Sequence, residues 1–177
     1  LPQANLADAY PVTALQQGML FHCQMDPHSA MYHDVFSFEL GFAPEVPFER
    51  ELLIQAITRV VAANPALRTG FDLHSFAEPL QLVYANVTPL IDCIDLSQQD
   101  EAAQAASVEA CILRLKQSGF DLQGPSLIRF TLLQKAAQTV HLIIDAHHAI
   151  LDGWSMATLQ RQIFEFYRHL QQGDALA

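Results

Sequence analysis

The chain has 177 residues, a length suited to one compact domain. It is 51% apolar and only 16% charged, with a formal net charge of −10 and nine Lys and Arg in all. The acidic balance and the lack of any basic stripe argue against nucleic-acid binding, and no apolar run reaches the ~18 residues that span a bilayer.

In chain order, Tyr10 to Thr13 reads as an extended entry, and Thr13 is placed to cap a helix running to about Gln24, stopped by Asp26-Pro27. Tyr32 to Leu40 reads as a strand. Pro47 suits the first turn of a helix carrying Leu52, Leu53, Ile57, Val60 and Val61, ended by Asn64-Pro65. Leu67 to Phe71 and Leu80 to Tyr84 are short strand candidates. Ser97 with Asp100 resembles a capping box for a helix with Ala105, Val108, Ile112 and Leu115 on one face and Gly119 after its end. Leu127 to Leu133 and Val140 to Ala146 read as an antiparallel pair. A last helix buries Met156, Leu159, Ile163, Phe164, Tyr167 and Leu170 and stops before Gly173. The order αβαββαββα makes this an α/β layer fold, an α+β sandwich.

The low charged fraction, against about 25% in typical domains, fits either a very complete core or an apolar face covered by a neighbour. A first residue other than Met points to a piece of a longer chain. Cys23, Cys93 and Cys111 are widely spaced and form no C-x-x-C pair. They read as small buried hydrophobes of a cytoplasmic protein rather than a disulfide framework or zinc site.

The chemistry concentrates in His147-His148-Ala149-Ile150-Leu151-Asp152-Gly153-Trp154-Ser155, between the last strand and the last helix. Neighbouring strand residues face opposite sides, so the two histidines cannot easily grip one metal ion, and no third ligand stands at metal spacing. No G-x-S-x-G elbow supports a serine hydrolase. General acid–base work fits better, because an imidazole is mostly neutral at pH 7 and can accept a proton. Asp152 is suited to orient the loop or to pair with a cation. Gly153 leaves room for a backbone N–H to meet a substrate, and the following helix offers a positive end to an oxyanion. Two core histidines followed by a helix-capping Asp remain the alternative.

At this point the sequence resembles a known family. His147 to Gly153 matches the HHxxxDG signature of non-ribosomal peptide synthetase condensation domains, extended by Trp154-Ser155. Tyr10 to His22, with Gln16-Gln17-Gly18-Met19-Leu20-Phe21-His22, is similar to the first core motif of that family. Ala66-Leu67-Arg68-Thr69-Gly70-Phe71 is similar to the second. Departures are Leu15 and Gly18, where the common first motif has Ala and Arg, and Ala63-Asn64-Pro65, where the second begins Arg-His-Glu.

The resemblance implies a chloramphenicol-acetyltransferase-like lobe, a mixed, largely antiparallel sheet packed with helices. It implies that residues 1–177 are the N-terminal lobe, the C-terminal lobe lying outside this chain. It further implies amide formation between a donor acyl or peptidyl thioester and an acceptor aminoacyl thioester. Both are carried on phosphopantetheine arms of carrier-protein domains, beside an adenylation domain, with no metal or cofactor bound by the lobe itself. By motif, His148 accepts or holds the proton of the attacking amine. His147 packs inward, Asp152 holds the scaffold with Arg68 as its partner, and Gly153 lends its N–H to the oxyanion. Trp154 is expected as a packing anchor and Ser155 as a helix cap. The isolated lobe is expected to be inactive. The competing readings are an epimerization domain, which carries V-S-W where this chain has Trp154-Ser155-Met156, a related acyltransferase with a free acceptor, and a non-catalytic docking lobe.

Overall fold

A computed structural model describes residues 5–26, 30–125 and 127–173. Their order is β1 (Leu6–Pro11), α1 (Ala14–Met25), β2 (His33–Gly41), α2 (Arg50–Ala63), a 3-10 helix (Pro65–Arg68), β3 (Thr69–Asp72) and β4 (Leu80–Tyr84). Then follow β5 (Leu90–Asp95), α3 (Glu101–Gln117), β6 (Ile128–Ala136), β7 (Thr139–His147) and α4 (Gly153–Gln171). A four-stranded sheet has the order β2-β7-β6-β5, and a smaller one the order β1-β4-β3. All pairings are antiparallel except β5 with β6. The architecture is the mixed, largely antiparallel α/β arrangement expected of the family.

Strand alternation gives the large sheet two different faces. The register pairs Phe36 with Ile144 and Phe38 with Leu142. With Phe130 and Leu132, that face meets Leu53, Ile57 and Val60 of α2 and Met156, Leu159 and Ile163 of α4 in the main core. Fully burying each such side chain contributes about 1.5–3 kcal/mol. The opposite face sets Leu133 and Ile143 against Cys111 and Leu115 of α3. At the end of the sheet, Leu20 of α1 packs with Phe71, Leu127 and Ala149.

Several local signals fold as read. Thr13 and Gln16 form a reciprocal capping box, with the Gln16 N–H donating to Thr13 Oγ1 at 3.3 Å and the Thr13 N–H to Gln16 Oε1 at 3.0 Å. That helix runs to Met25; Pro27 lies outside the described residues. Asn64 ends α2, and β6 and β7 pair as expected.

Other readings are corrected. Pro47 stands before α2, not in its first turn; Glu49 is extended and donates its N–H to the Tyr167 hydroxyl at 3.0 Å, which holds the entry outside the helix. The expected strand at Leu67 begins only at Thr69, because Pro65 starts the 3-10 helix through Arg68. Asp100, not Ser97, caps α3, accepting from the Ala103 N–H at 2.8 Å, while the Ser97 N–H turns to Asp95. Ala105 is exposed; Gln104 is buried in its place, donating to the carbonyls of Leu96 and Lys135 at 3.0 and 2.9 Å. Strands β1 and β5 escaped the sequence reading: both are edge strands with mostly exposed side chains, and so carry no hydrophobic alternation. Of the cysteines only Cys111 is buried; Cys23 is half-buried and Cys93 is exposed on the edge strand β5.

Candidate active site

The motif begins where β7 ends. The His148 N–H donates to the Tyr32 carbonyl at 2.8 Å, carrying the link to β2 one residue past His147. The two rings therefore leave the strand on opposite faces, as alternation requires.

His147 is 4% exposed and turns toward the α3 side. Its Nδ1 accepts the Ala149 N–H at 3.1 Å, and its Nε2 lies 3.3 Å from Cys23 Sγ. An Nδ1 that accepts leaves the proton on Nε2, so the sulfur receives that N–H. Burial, with lesser repulsion from His33 and His148, pushes His147 from 6.5 down to about 4. Burial also pushes the Cys23 thiol up. A neutral imidazole against a protonated thiol supports structure; it does not activate a nucleophile.

On the same face Asp145 is fully buried. It pairs with His33 and with Arg129, whose Nε donates at 2.6 Å. The Arg129 guanidinium also donates to the Ser118 carbonyl at 2.8 Å and lies 4.1 Å above the centre of the Phe120 ring. A cleft of about 510 Å³ opens over this cluster, between Cys23, Met31, Phe71 and Phe120.

His148 occupies the other face. Its side chain is 35% exposed, and its Nδ1 lies 2.6 Å from Asp34 Oδ2. It lines a cleft of about 260 Å³ with Asp152, Ser155 and the α1 residues Leu15, Gln16 and Met19. Gln16 Nε2 donates to the Ala149 carbonyl at 3.0 Å, so the stretch from Tyr10 to His22 meets the histidine motif here.

Asp152 is exposed and caps α4, accepting from the Ser155 N–H at 2.7 Å. The Ser155 hydrogen bonds hold its carboxyl below the usual carboxylate range. Ser155 is thus the donor to the cap rather than the cap, and no ion pair joins Asp152 to Arg68. Arg68 instead donates to the carbonyls of Tyr84 and Ala85. An exposed, capped carboxylate is already solvated and hydrogen-bonded, so it needs no cation. Trp154 is 87% exposed, so among the described residues it is not the buried packing anchor that was expected; it borders another cleft with Asn64, Leu67 and Gln162. A Cβ at Gly153 would meet nothing within 4 Å beyond its own stretch of chain. As the first helical residue, Gly153 has an N–H without an intrahelical acceptor. Among the described residues no group of three or more His, Cys, Asp and Glu is placed to hold a metal ion.

Asp34 is the site residue that the sequence reading missed. Its signal was present: a carboxylate at the head of the row Phe36, Phe38 and Leu40, where alternation calls for an apolar side chain. The pairing of β2 with β7, which brings it to His148, has no local signature.

The layered arrangement is the chloramphenicol-acetyltransferase-like fold, with the histidine loop joining its last strand to its last helix. Residues 6–177 match the family model described as Condensation domain. Over 175 residues the chain is 33% identical to AMB antimetabolite synthetase AmbE of Pseudomonas aeruginosa, covering 98% of this chain and 8% of that protein. It is 29% identical over 173 residues to surfactin synthase subunit 2 of Bacillus subtilis, covering 98% of this chain and 5% of that protein. The starter condensation domain of rhizomide synthetase RzmA superposes with a TM-score of 0.84 at 21% identity, over 97% of this chain and 41% of that one. The first condensation domain of the calcium-dependent antibiotic synthetase, in complex with a substrate analogue, gives 0.83 at 24% identity, over 97% and 40%. This chain belongs to the condensation-domain family of non-ribosomal peptide synthetases. It spans about two-fifths of each of those two solved domains and under a tenth of each of those two synthetases.

Proposed function

We propose that residues 1–177 form the N-terminal lobe of a condensation domain that joins two carrier-bound thioesters through an amide. The carrying observation is the histidine pair. One ring is buried and neutral; the other stands in an open cleft with Nδ1 engaged by Asp34 and Nε2 left for chemistry. The acceptor amine attacks the donor thioester carbonyl, forming the C–N bond. His148 Nε2 takes the proton that the amine nitrogen releases. The tetrahedral intermediate then expels the phosphopantetheine sulfur, which recovers that proton as a thiol. Gly153 offers its N–H, at the positive end of α4, to the developing oxyanion. His147 holds the loop from behind and Asp152 holds the helix start.

The phosphopantetheine arms belong to the substrates, so the lobe needs no cofactor of its own. Its partners in this reading are donor and acceptor carrier domains, a neighbouring adenylation domain and a C-terminal lobe that supplies the second wall. All would lie in the cytoplasm, in keeping with three free thiols. Tethering both reactants can supply ~7–11 kcal/mol, so positioning outweighs the proton transfer.

The test uses an intact condensation domain containing this lobe, with both carriers loaded. His148→Ala lowers amide formation by ~10²–10⁴-fold. Unchanged product removes His148 from the mechanism. Turnover by residues 1–177 alone, at the rate of the intact domain, overturns the lobe assignment.

A further inference from the structure

We propose that Asp34 is a positioning residue for amide formation, fixing the His148 ring and its tautomer so that Nε2 is the nitrogen presented to substrate. The inference rests on His148 being the proton acceptor. The start of β2 holds His148 twice. The Tyr32 carbonyl accepts the His148 N–H at 2.8 Å, and Asp34 Oδ2 meets its Nδ1 at 2.6 Å. Tyr32 has φ of 63°, a left-handed conformation that side chains other than glycine's rarely adopt. Strain of this kind persists where surrounding contacts dictate it. Here it turns the chain so that the carbonyl of residue 32 and the side chain of residue 34 both reach His148.

An ionised carboxylate only accepts, so the proton of a neutral His148 must sit on Nδ1 and the lone pair on Nε2. The two neighbouring carboxylates are otherwise engaged. Asp152 accepts from Ser155, and Asp145 is held by His33 and Arg129 on the far side of the sheet. Stability does not account for the pair: both side chains are about a third exposed, and exposed pairs add little.

The experiment compares Asp34→Ala, Asp34→Asn and His148→Ala in the intact condensation domain with loaded carriers. Asp34→Ala is expected to lower kcat by roughly 10–100-fold, less than loss of the base itself, with KM for both carriers within about twofold. Asn still offers an acceptor oxygen to Nδ1–H, so Asp34→Asn recovers much of that loss. In ¹⁵N spectra of the labelled imidazole, the neutral wild-type ring carries its proton on Nδ1, and Asp34→Ala loses that preference. Wild-type kcat in Asp34→Ala, where His148→Ala has lost activity, overturns the inference alone. Full activity in His148→Ala overturns the reading beneath it. If Asp34→Ala does not fold, Asp34→Asn decides: a wild-type kcat with a changed tautomer overturns the role.

Discussion

His147 and His148 are adjacent in sequence and have almost nothing else in common. The first lies on the α3 face of the sheet, 4% exposed, above a buried carboxylate flanked by His33 and Arg129. The second lies on the α2 and α4 face, a third exposed, with one carboxylate of similar exposure. Water is the variable that differs. On the dry face Asp145, His33 and Arg129 hold one another and burial keeps His147 neutral; on the wet face one imidazole nitrogen is left over. A strand end thus divides the motif between support and chemistry, and experiments on the dry face should move stability where those on the wet face move rate.

The sharpest way to break that division is Arg129→Ala. It leaves Asp145 buried with half its partners gone, and removing one member of such a pair costs about 3–5 kcal/mol. Urea unfolding of the intact domain should show stability falling by that amount. The replacement of Arg129 by Met should fare no better, since Asp145 would still lack that donor. A loss under about 1 kcal/mol would mean that the cluster is not a structural support, because only an exposed pair is that weak.

That cluster marks the limit of what could be read from sequence. The strand Val140 to Ala146 was legible from its apolar run, and the histidine loop from its spacing. Yet Asp145 sits inside that run as one polar letter, and its partners come from β2 and β6. Long-range pairing selects Arg129 and His33 from the chain's cations and histidines, and no local period announces it. The same holds for Asp34. Helices α1, α2 and α4 declared themselves through caps and stripes, whereas β1 and β5, wet on both sides, had no pattern to show. The family motifs carried the site further than periodicity could, but they misplaced the roles of Trp154, Ser155 and Arg68. Those roles depend on where α4 starts and which side chains are already hydrogen-bonded.

The dry face also predicts a pH effect. Unfolded, His147 takes up a proton near 6.5; folded, it does so only near 4. Above pH 6.5 neither state is protonated and this group adds no slope. As pH falls from 6.5 toward 4, the unfolded chain binds a proton that the native state refuses, so stability is lost by about 3 kcal/mol. Urea midpoints at pH 7 and pH 4.5 should converge for wild type and His147→Asn, because the variant has no proton to take up. Equal losses in both would show that His147 is not held neutral by burial.

The smallest effect tests the scaffold role of Asp152. If its work is to cap α4, then Asp152→Ala should lower Tm by roughly 2 °C in the intact domain, and Asp152→Asn or Asp152→Ser should restore most of that. A carboxylate needed to neutralise Arg68 would behave differently: Asn and Ser, which carry no charge, would be as poor as Ala. The double variant with Arg68→Ala separates the two cases independently. Arg68 is bonded to the carbonyls of Tyr84 and Ala85, and Asp152 to Ser155, so the two share no partner and their Tm shifts should add. A double variant no less stable than the worse single one would restore the ion pair. It would also make the wet face depend on a cation brought up from the 3-10 helix.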